Sequence, residues 1–124
     1  YLNREGIDPV ASRAVLQIMA RAALGPRGLP QNAEASPVNA DVQGLPPILV
    51  QAGENEVMLS DAIRLAAHLS DSRVRTTLEV WPGMFHVWHW FSDILPQASQ
   101  ALDNACAFLD QACPPSPNCT SGRS

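Results

Sequence analysis

Two short apolar segments flank one helical segment in the middle of this sequence, and that order constrains the fold more than any other feature. Residues 47–52, PILVQA, form a continuous apolar run that is typical of a buried strand, and residues 76–81, TTLEVW, alternate as a second strand. Residues 57–70 between them carry apolar side chains at helical spacing. Two strands joined by a helix of this length are parallel, with a right-handed crossover. The pattern therefore predicts an α/β fold.

A helix is expected on each side of this unit. Residues 8–24 begin with Asp8 as a helix cap and Pro9 in the first helical position. Residues 97–112 form an amphipathic pattern in which Cys106 is expected to be a small buried side chain. Two strands alone leave their edges unpaired, and their helices cover only part of a core. We therefore expect a piece of a larger α/β fold.

The expected organisation has three parts. Residues 1–34 hold the first helix and a loop rich in proline and glycine, and they belong to the same domain as residues 35–112. Residues 113–124 lack core-forming side chains, so we expect a disordered tail. The chain begins with Tyr1 rather than methionine, and we expect this start to be a cut edge.

Composition excludes several classes of function. The chain has 124 residues, a net charge of −4 and scattered basic residues, so no nucleic-acid partner is expected. No apolar run approaches the roughly 18 residues that predict a membrane span. His86 and His89 could share a helical face, but no further ligand follows at a suitable spacing, so neither a metal nor another cofactor is expected. The three cysteines give no disulfide framework, which favours a cytoplasmic location.

Four longer segments are more specific in combination than any one of them. In chain order they are ASPVNADVQGLPPILVQAG, GENEVMLSDAIRLAAHL, TTLEVWPGMFHVWHWF and ALDNACAFL. Together they resemble the C-terminal end of an α/β-hydrolase of the hormone-sensitive lipase-like group of esterases. The resemblance implies a partial α/β-hydrolase fold, with two parallel strands, a crossover helix and flanking helices. It also implies a small-molecule ester substrate, and a homodimer through the last strand as one option, since sheet edges invite pairing.

His86 follows the second strand on a Pro-Gly turn. Its imidazole ring either fills space in the core or is presented by the turn for a functional role. In an open α/β sheet, functional side chains lie on loops beyond the carboxyl ends of the strands. Glu54 and Glu56 occupy that loop after the first strand, and parallel strands bring both loops to the same edge. A carboxylate that accepts Nδ1–H fixes the tautomer of a histidine and leaves Nε2 as a general base.

The resemblance implies that His86 is the catalytic base and that an acid precedes it in the chain. The acid of the family is commonly Asp, in a pattern like Asp-Pro-Leu-x-Asp, and its alignment with residues 56–61 is ambiguous by one position. The preferred alignment places Glu56 on the acid and leaves Asp61 near the helix start as a cap or dipole partner. Asp61 and Glu54 stay open as alternatives.

Val87 and Trp88, directly after the histidine, have two interpretations. As ordinary core residues they would pack against the start of the last helix, and as site residues they would line the substrate pocket, since such pockets are mostly apolar. The resemblance favours the substrate-binding interpretation.

The sequence lacks two motifs that this chemistry requires. It contains neither the nucleophile elbow Gly-x-Ser-x-Gly nor the His-Gly-Gly oxyanion segment. A histidine base without a nucleophile and oxyanion donors has no acyl-transfer reaction to catalyse. We therefore expect the C-terminal part of a serine carboxylic-ester hydrolase that is inactive alone. The alternative is a non-catalytic truncated chain or interaction module that retains the fold.

Overall fold

The secondary structure contains the expected β–α–β unit, with one helix before it and one after it in the chain. The computed structural model describes residues 6–26, 28–29, 32 and 35–113. Residues up to Trp88 form one compact unit, and those from His89 onward form a second. The elements in chain order are α1 (Arg13–Leu24), a 3-10 turn (Pro37–Asn39), β1 (Ile48–Gly53), α2 (Leu59–Asp71), β2 (Thr76–Trp81), a second 3-10 turn (Trp88–Phe91) and α3 (Pro96–Ala112).

Strands β1 and β2 pair in parallel, as the sequence predicts. Gly53 at the end of β1 lies opposite Trp81 at the end of β2, so both strands end at the same edge of the sheet. The side chains of Gln51 and Glu79 are opposite one another, and Gln51 Nε2 donates to Glu79 Oε2 at 2.9 Å. Within the described residues, each strand keeps one edge without a strand partner. A homodimer through β2 stays a prediction.

A small apolar cluster beside the sheet holds helix α2 in place. Its buried members are Val42, Leu69 and Val74, and half-buried side chains from both β1 and α2 pack against them. The carboxyl-terminal half of α2 is thereby fixed against the sheet. The loop that joins β1 to α2 lies at the carboxyl edge of the sheet.

The first helix begins later than predicted. Helix α1 starts at Arg13, and its cap is Ser12, whose Oγ accepts a hydrogen bond from Val15 N at 3.3 Å. The prediction that Asp8 caps this helix is therefore wrong. Asp8 Oδ1 instead accepts hydrogen bonds from the backbone N–H groups of Val10 and Ala11, which forms a separate turn ahead of the helix.

The second unit consists mainly of α3, which starts with Pro96 in its first turn. Ala98 and Ala101 are buried, but Cys106 is exposed, so the prediction of a buried Cys106 is wrong. The predicted disordered tail lies outside the described residues from 114 onward. Among the helices that the structure describes, none is both long enough and apolar enough to cross a membrane.

Candidate active site

Backbone hydrogen bonds join the loop after β1 to the loop after β2. Glu54 N donates to Trp81 O at 2.9 Å, and Asn55 N donates to Met84 O at 2.8 Å. The side chain of Glu54 adds a third link, because its Oε2 accepts from Gly83 N at 2.8 Å. The two loops that the parallel strands bring to one edge are thus held in direct contact.

Gly53 allows this close approach. A Cβ atom at Gly53 would collide with the carbonyl group of Met84 and would lie 3.0 Å from the backbone N of Phe85. Backbone atoms cannot move aside as a flexible side chain can, so any other residue at this position would push the two loops apart. The glycine therefore sets the spacing between the acidic loop and the loop that carries His86.

Glu56 and His86 meet at this junction. The Glu56 residue is only 6% exposed, and its Oε2 accepts a hydrogen bond from Gly53 N at 3.0 Å. The same Oε2 lies 3.9 Å from Nδ1 of His86, whose side chain is 31% exposed. That distance is longer than a hydrogen bond, but it places the carboxylate beside the Nδ1 edge of the imidazole ring.

The carboxylates of the two alternative acids, Glu54 and Asp61, bind groups other than His86. Glu54 is exposed, and its carboxylate binds the backbone of Gly83. Asp61 lies in the first turn of α2, where a negative charge is favoured by the helix dipole, and its Oδ1 is 3.6 Å from a guanidinium nitrogen of Arg64. Of the three candidates, Glu56 is the one whose carboxylate faces Nδ1 of His86.

The chain turns sharply directly after His86. Val87 has a φ of +53°, a left-handed conformation that is strained for a β-branched residue. The next residue, Trp88, is 1% exposed, and its ring centroid lies 6.1 Å from that of Trp81 at the end of β2. In the chain, His86 therefore stands between Met84, which takes part in the loop junction, and Trp88, whose ring is buried.

An open groove with a volume of about 590 Å³ runs past both site residues. Its lining includes Glu56 and His86, together with Met58 and Leu65 on one side and residues 35–39 on another. The volume lies within the range of small-molecule sites. Neither Val87 nor Trp88 belongs to this lining, and their role in substrate binding stays a prediction.

His68 anchors one wall of the groove to α2. Its Nε2 lies 2.8 Å from the carbonyl oxygen of Ala40, at hydrogen-bond distance. Ala40 directly follows the 3-10 turn at Pro37–Asn39, whose residues line the groove. The groove is therefore bounded by two segments that are tied to each other.

His89, three residues after His86, has a perturbed pKa. Burial lowers the pKa of His89 below its usual value of 6.5, because the charged imidazolium loses hydration. In the part of the chain that the structure describes, no three His, Cys, Asp or Glu residues form a cluster suited to a metal ion.

Sequence analysis missed two residues that shape this site. Gly53 ends β1, and a glycine is needed there because the loop after β2 passes too close for a Cβ atom. The two loops are distant in sequence, so no local pattern shows this. Asp8 is buried and lies within hydrogen-bond distance of Val57, next to Glu56, which no local pattern indicates.

A parallel β–α–β unit with an acid on the first loop and a histidine on the second is the arrangement of the last two triad members in an α/β-hydrolase. The family model described as alpha/beta hydrolase fold matches residues 2–90, and the chain belongs to this family.

Similar proteins carry esterase names. An acetyl-hydrolase of Streptomyces hygroscopicus is 43% identical over 83 residues, which is 67% of this chain and 28% of that protein. An esterase of Acinetobacter venetianus is 33% identical over 79 residues, covering 64% of this chain and 26% of its own length. The crystal structure of an esterase from the bacterial hormone-sensitive lipase family superposes with a TM-score of 0.82 at 40% identity. That match covers 86% of this chain and 35% of the other.

These comparisons confirm the resemblance to hormone-sensitive lipase-like esterases and the α/β-hydrolase fold. The chain spans about a quarter of the length of the curated relatives and about a third of the solved structure. The comparisons support an esterase-family α/β-hydrolase domain.

Proposed function

We propose that this chain is the C-terminal part of a serine carboxylic-ester hydrolase and supplies its histidine base and its acid. The observation that carries the proposal is the contact between Glu56 Oε2 and His86 Nδ1 at the junction of the two loops. The names of the relatives, an acetyl-hydrolase and an esterase, favour esters with short acyl groups as substrates.

In the proposed reaction, a serine from another part of the enzyme attacks the ester carbonyl. His86 Nε2 takes the proton of the serine hydroxyl as the new carbon–oxygen bond forms. When the tetrahedral intermediate collapses, the carbon–oxygen bond to the alcohol breaks, and His86 gives its proton to the leaving oxygen. A water molecule then cleaves the acyl-enzyme by the same two proton transfers.

Glu56 orients His86 throughout these steps. A carboxylate beside Nδ1 favours the tautomer with its proton on Nδ1, which leaves Nε2 as the acceptor. It also stabilises the imidazolium that forms transiently. The hydrogen bond from Gly53 N holds the same carboxylate oxygen that lies beside Nδ1 of His86.

The 124 residues contain no Gly-x-Ser-x-Gly motif, so we propose that they do not hydrolyse esters alone. The nucleophile and the oxyanion donors would come from additional sequence, in keeping with the greater length of the relatives. A non-catalytic interaction module is the competing proposal, and it is favoured by the same missing motif.

Hydrolysis of p-nitrophenyl acetate tests the proposal. The assay compares this chain alone, the full-length protein encoded by the extended reading frame, and its His86→Ala variant. We expect turnover only in the unaltered full-length protein. His89→Ala serves as the matched control, because it removes a nearby imidazole without touching the contact with Glu56. Full activity in His86→Ala would exclude the assignment of the base, and no turnover in any form would favour the non-catalytic module.

A further inference from the structure

Asp8 is an acidic residue in a buried position. It is 8% exposed, although it lies in an irregular segment five residues before helix α1. Burying a carboxylate is unfavourable unless hydrogen bonds replace its hydration. Here three backbone N–H groups point at it: those of Val10 at 3.0 Å and Ala11 at 3.1 Å bind Oδ1, and that of Val57 at 3.3 Å binds Oδ2.

The local turn alone does not explain the burial. A single carboxylate oxygen is enough for such a turn, as Asp41 shows, since its Oδ1 accepts from Gln43 N while the residue stays exposed. In Asp8 one oxygen forms the local turn, and the other reaches 49 positions along the chain to Val57. The second oxygen of Asp8 is therefore used for the long-range contact with Val57, and the local turn does not need it.

Val57 directly follows Glu56 in the acidic loop. Glu56 is held from one side through Gly53, which donates to its carboxylate and accepts from its backbone N–H at 3.3 Å. The hydrogen bond from Val57 N to Asp8 holds the peptide on the other side. Groups outside helix α2 thus bind the backbone N–H groups of both Glu56 and Val57, while the Glu56 carbonyl accepts from Leu59 N at the start of α2, at 3.4 Å.

We propose that Asp8 is a positioning residue, whose buried carboxylate binds Val57 N–H and thereby keeps Glu56 in reach of His86. The inference rests on the proposed esterase function. It differs from a purely structural role, in which Asp8 would only fasten the segment ahead of α1. A structural role predicts lower stability with an unchanged site, whereas a positioning role predicts a slower chemical step in a folded enzyme.

The substitution Asp8→Asn in the full-length protein separates these roles. Asparagine has the same size and one acceptor oxygen, so it keeps the local turn and places an NH₂ group where Val57 N–H needs an acceptor. We expect kcat for p-nitrophenyl acetate to fall by about 10- to 100-fold, as for a catalytic group that is displaced by a fraction of an ångström to one ångström. We expect KM to change by less than about threefold, since ground-state binding is untouched.

Asp41→Asn is the matched control, because it makes the same chemical change in an exposed turn of the same kind. We expect its kcat to equal that of the unaltered enzyme. The state of the His86 ring gives a second readout, from two-bond ¹H–¹⁵N correlation spectra. We expect the unaltered protein to hold the Nδ1–H tautomer and the Asp8→Asn variant to show a mixture of both tautomers.

Asp8→Ser serves if Asp8→Asn does not fold at the assay temperature. A serine hydroxyl can retain the local turn but offers no second oxygen to Val57, so the same fall in kcat is expected. Unchanged kcat and an unchanged tautomer in a folded variant would overturn the inference, while loss of activity in His86→Ala would leave the proposed function intact. If both variants lost the fold, Asp8 would be structural and the inference would be wrong. Full activity in His86→Ala would instead overturn the proposed function itself.

Discussion

Glu56 Oε2 lies 3.9 Å from His86 Nδ1, across the junction of two loops that are distant in sequence. The pairing depends on the parallel strands, which end at the same edge, and on Gly53, which lets the loops touch. The carboxylate is already held by a backbone N–H group before any substrate is bound. The backbone of the acidic loop therefore fixes the position of this carboxylate beside the imidazole ring.

The identity of the acid can be tested by three isosteric substitutions in the full-length protein. Glu56→Gln removes the charge that stabilises the imidazolium, and we expect kcat for p-nitrophenyl acetate to fall by about 10³- to 10⁴-fold, as when other triad acids lose their charge. Glu54→Gln and Asp61→Asn are the controls, and their kcat should stay within about threefold of the unaltered value. A large loss in Asp61→Asn with none in Glu56→Gln would reassign the acid.

Crowding at Gly53 predicts a loss of both stability and activity in Gly53→Ala. The added methyl group meets the backbone at Met84 and Phe85, and we expect the free energy of unfolding to fall by about 1–3 kcal/mol, as in other overpacked positions. Urea denaturation measures this change. Gly44→Ala is the comparison, because a Cβ at Gly44 meets no atom of the described residues within 4 Å, although the positive φ of +76° at Gly44 carries its own strain.

Activity separates these two glycine variants more clearly than stability. Gly53→Ala should lower kcat in the folded full-length enzyme, because the loops that carry Glu56 and His86 must move apart. Gly44→Ala should leave kcat unchanged. Equal kcat values for the two variants would show that the spacing at Gly53 does not control the site.

The cluster beside the sheet predicts a strong dependence on Leu69. This side chain is 1% exposed, and we expect Leu69→Ala to lower the free energy of unfolding by about 2–5 kcal/mol. Ile63 on the same helix is 48% exposed, so Ile63→Ala should cost about 1 kcal/mol or less, as for a side chain that loses little buried area. Chemical denaturation of both variants checks the prediction, and similar losses would contradict the described position of α2.

The lowered pKa of His89 predicts a pH-dependent loss of stability. The unfolded chain binds the proton near the ordinary value of 6.5, whereas the folded state binds it only at lower pH. The free energy of unfolding should therefore fall as the pH drops from above 6.5 to the lowered pKa of the folded state, and this contribution should not change further below that point.

Comparison with His89→Gln isolates this contribution, since the other titrating groups are the same in both proteins. Between pH 7.5 and pH 5, the urea concentration at the unfolding midpoint should decrease more in the unaltered chain than in the variant. An equal decrease in both would show that burial of His89 does not affect its proton binding.

The sequence was sufficient for the features that depend on local periodicity. The apolar run before Gly53 and the alternation before Trp81 predicted both strands, and their parallel pairing brought Glu56 and His86 to one edge. The preference for Glu56 as the acid came from the family alignment, and it agrees with the position of its carboxylate. The role of that carboxylate stays a prediction.

Other features depend on contacts that are not local. Asp8 looks like a helix cap by its place before Pro9, but its second oxygen binds Val57, and helix α1 begins only after Ser12. The amphipathic pattern around Cys106 indicated burial, yet the side chain is exposed. In both cases the sequence pattern defines a short-range preference, and the tertiary contacts decide which group each side chain meets.

A double-mutant cycle tests the central claim most directly, that Glu56 and His86 act as one unit in ester hydrolysis. It measures kcat/KM of the full-length protein with Glu56→Gln, with His86→Ala and with both substitutions. We predict that the double variant is about as slow as His86→Ala alone, because an orienting carboxylate has no effect once the ring is gone. Fully additive losses, or substantial activity in His86→Ala, would contradict the account.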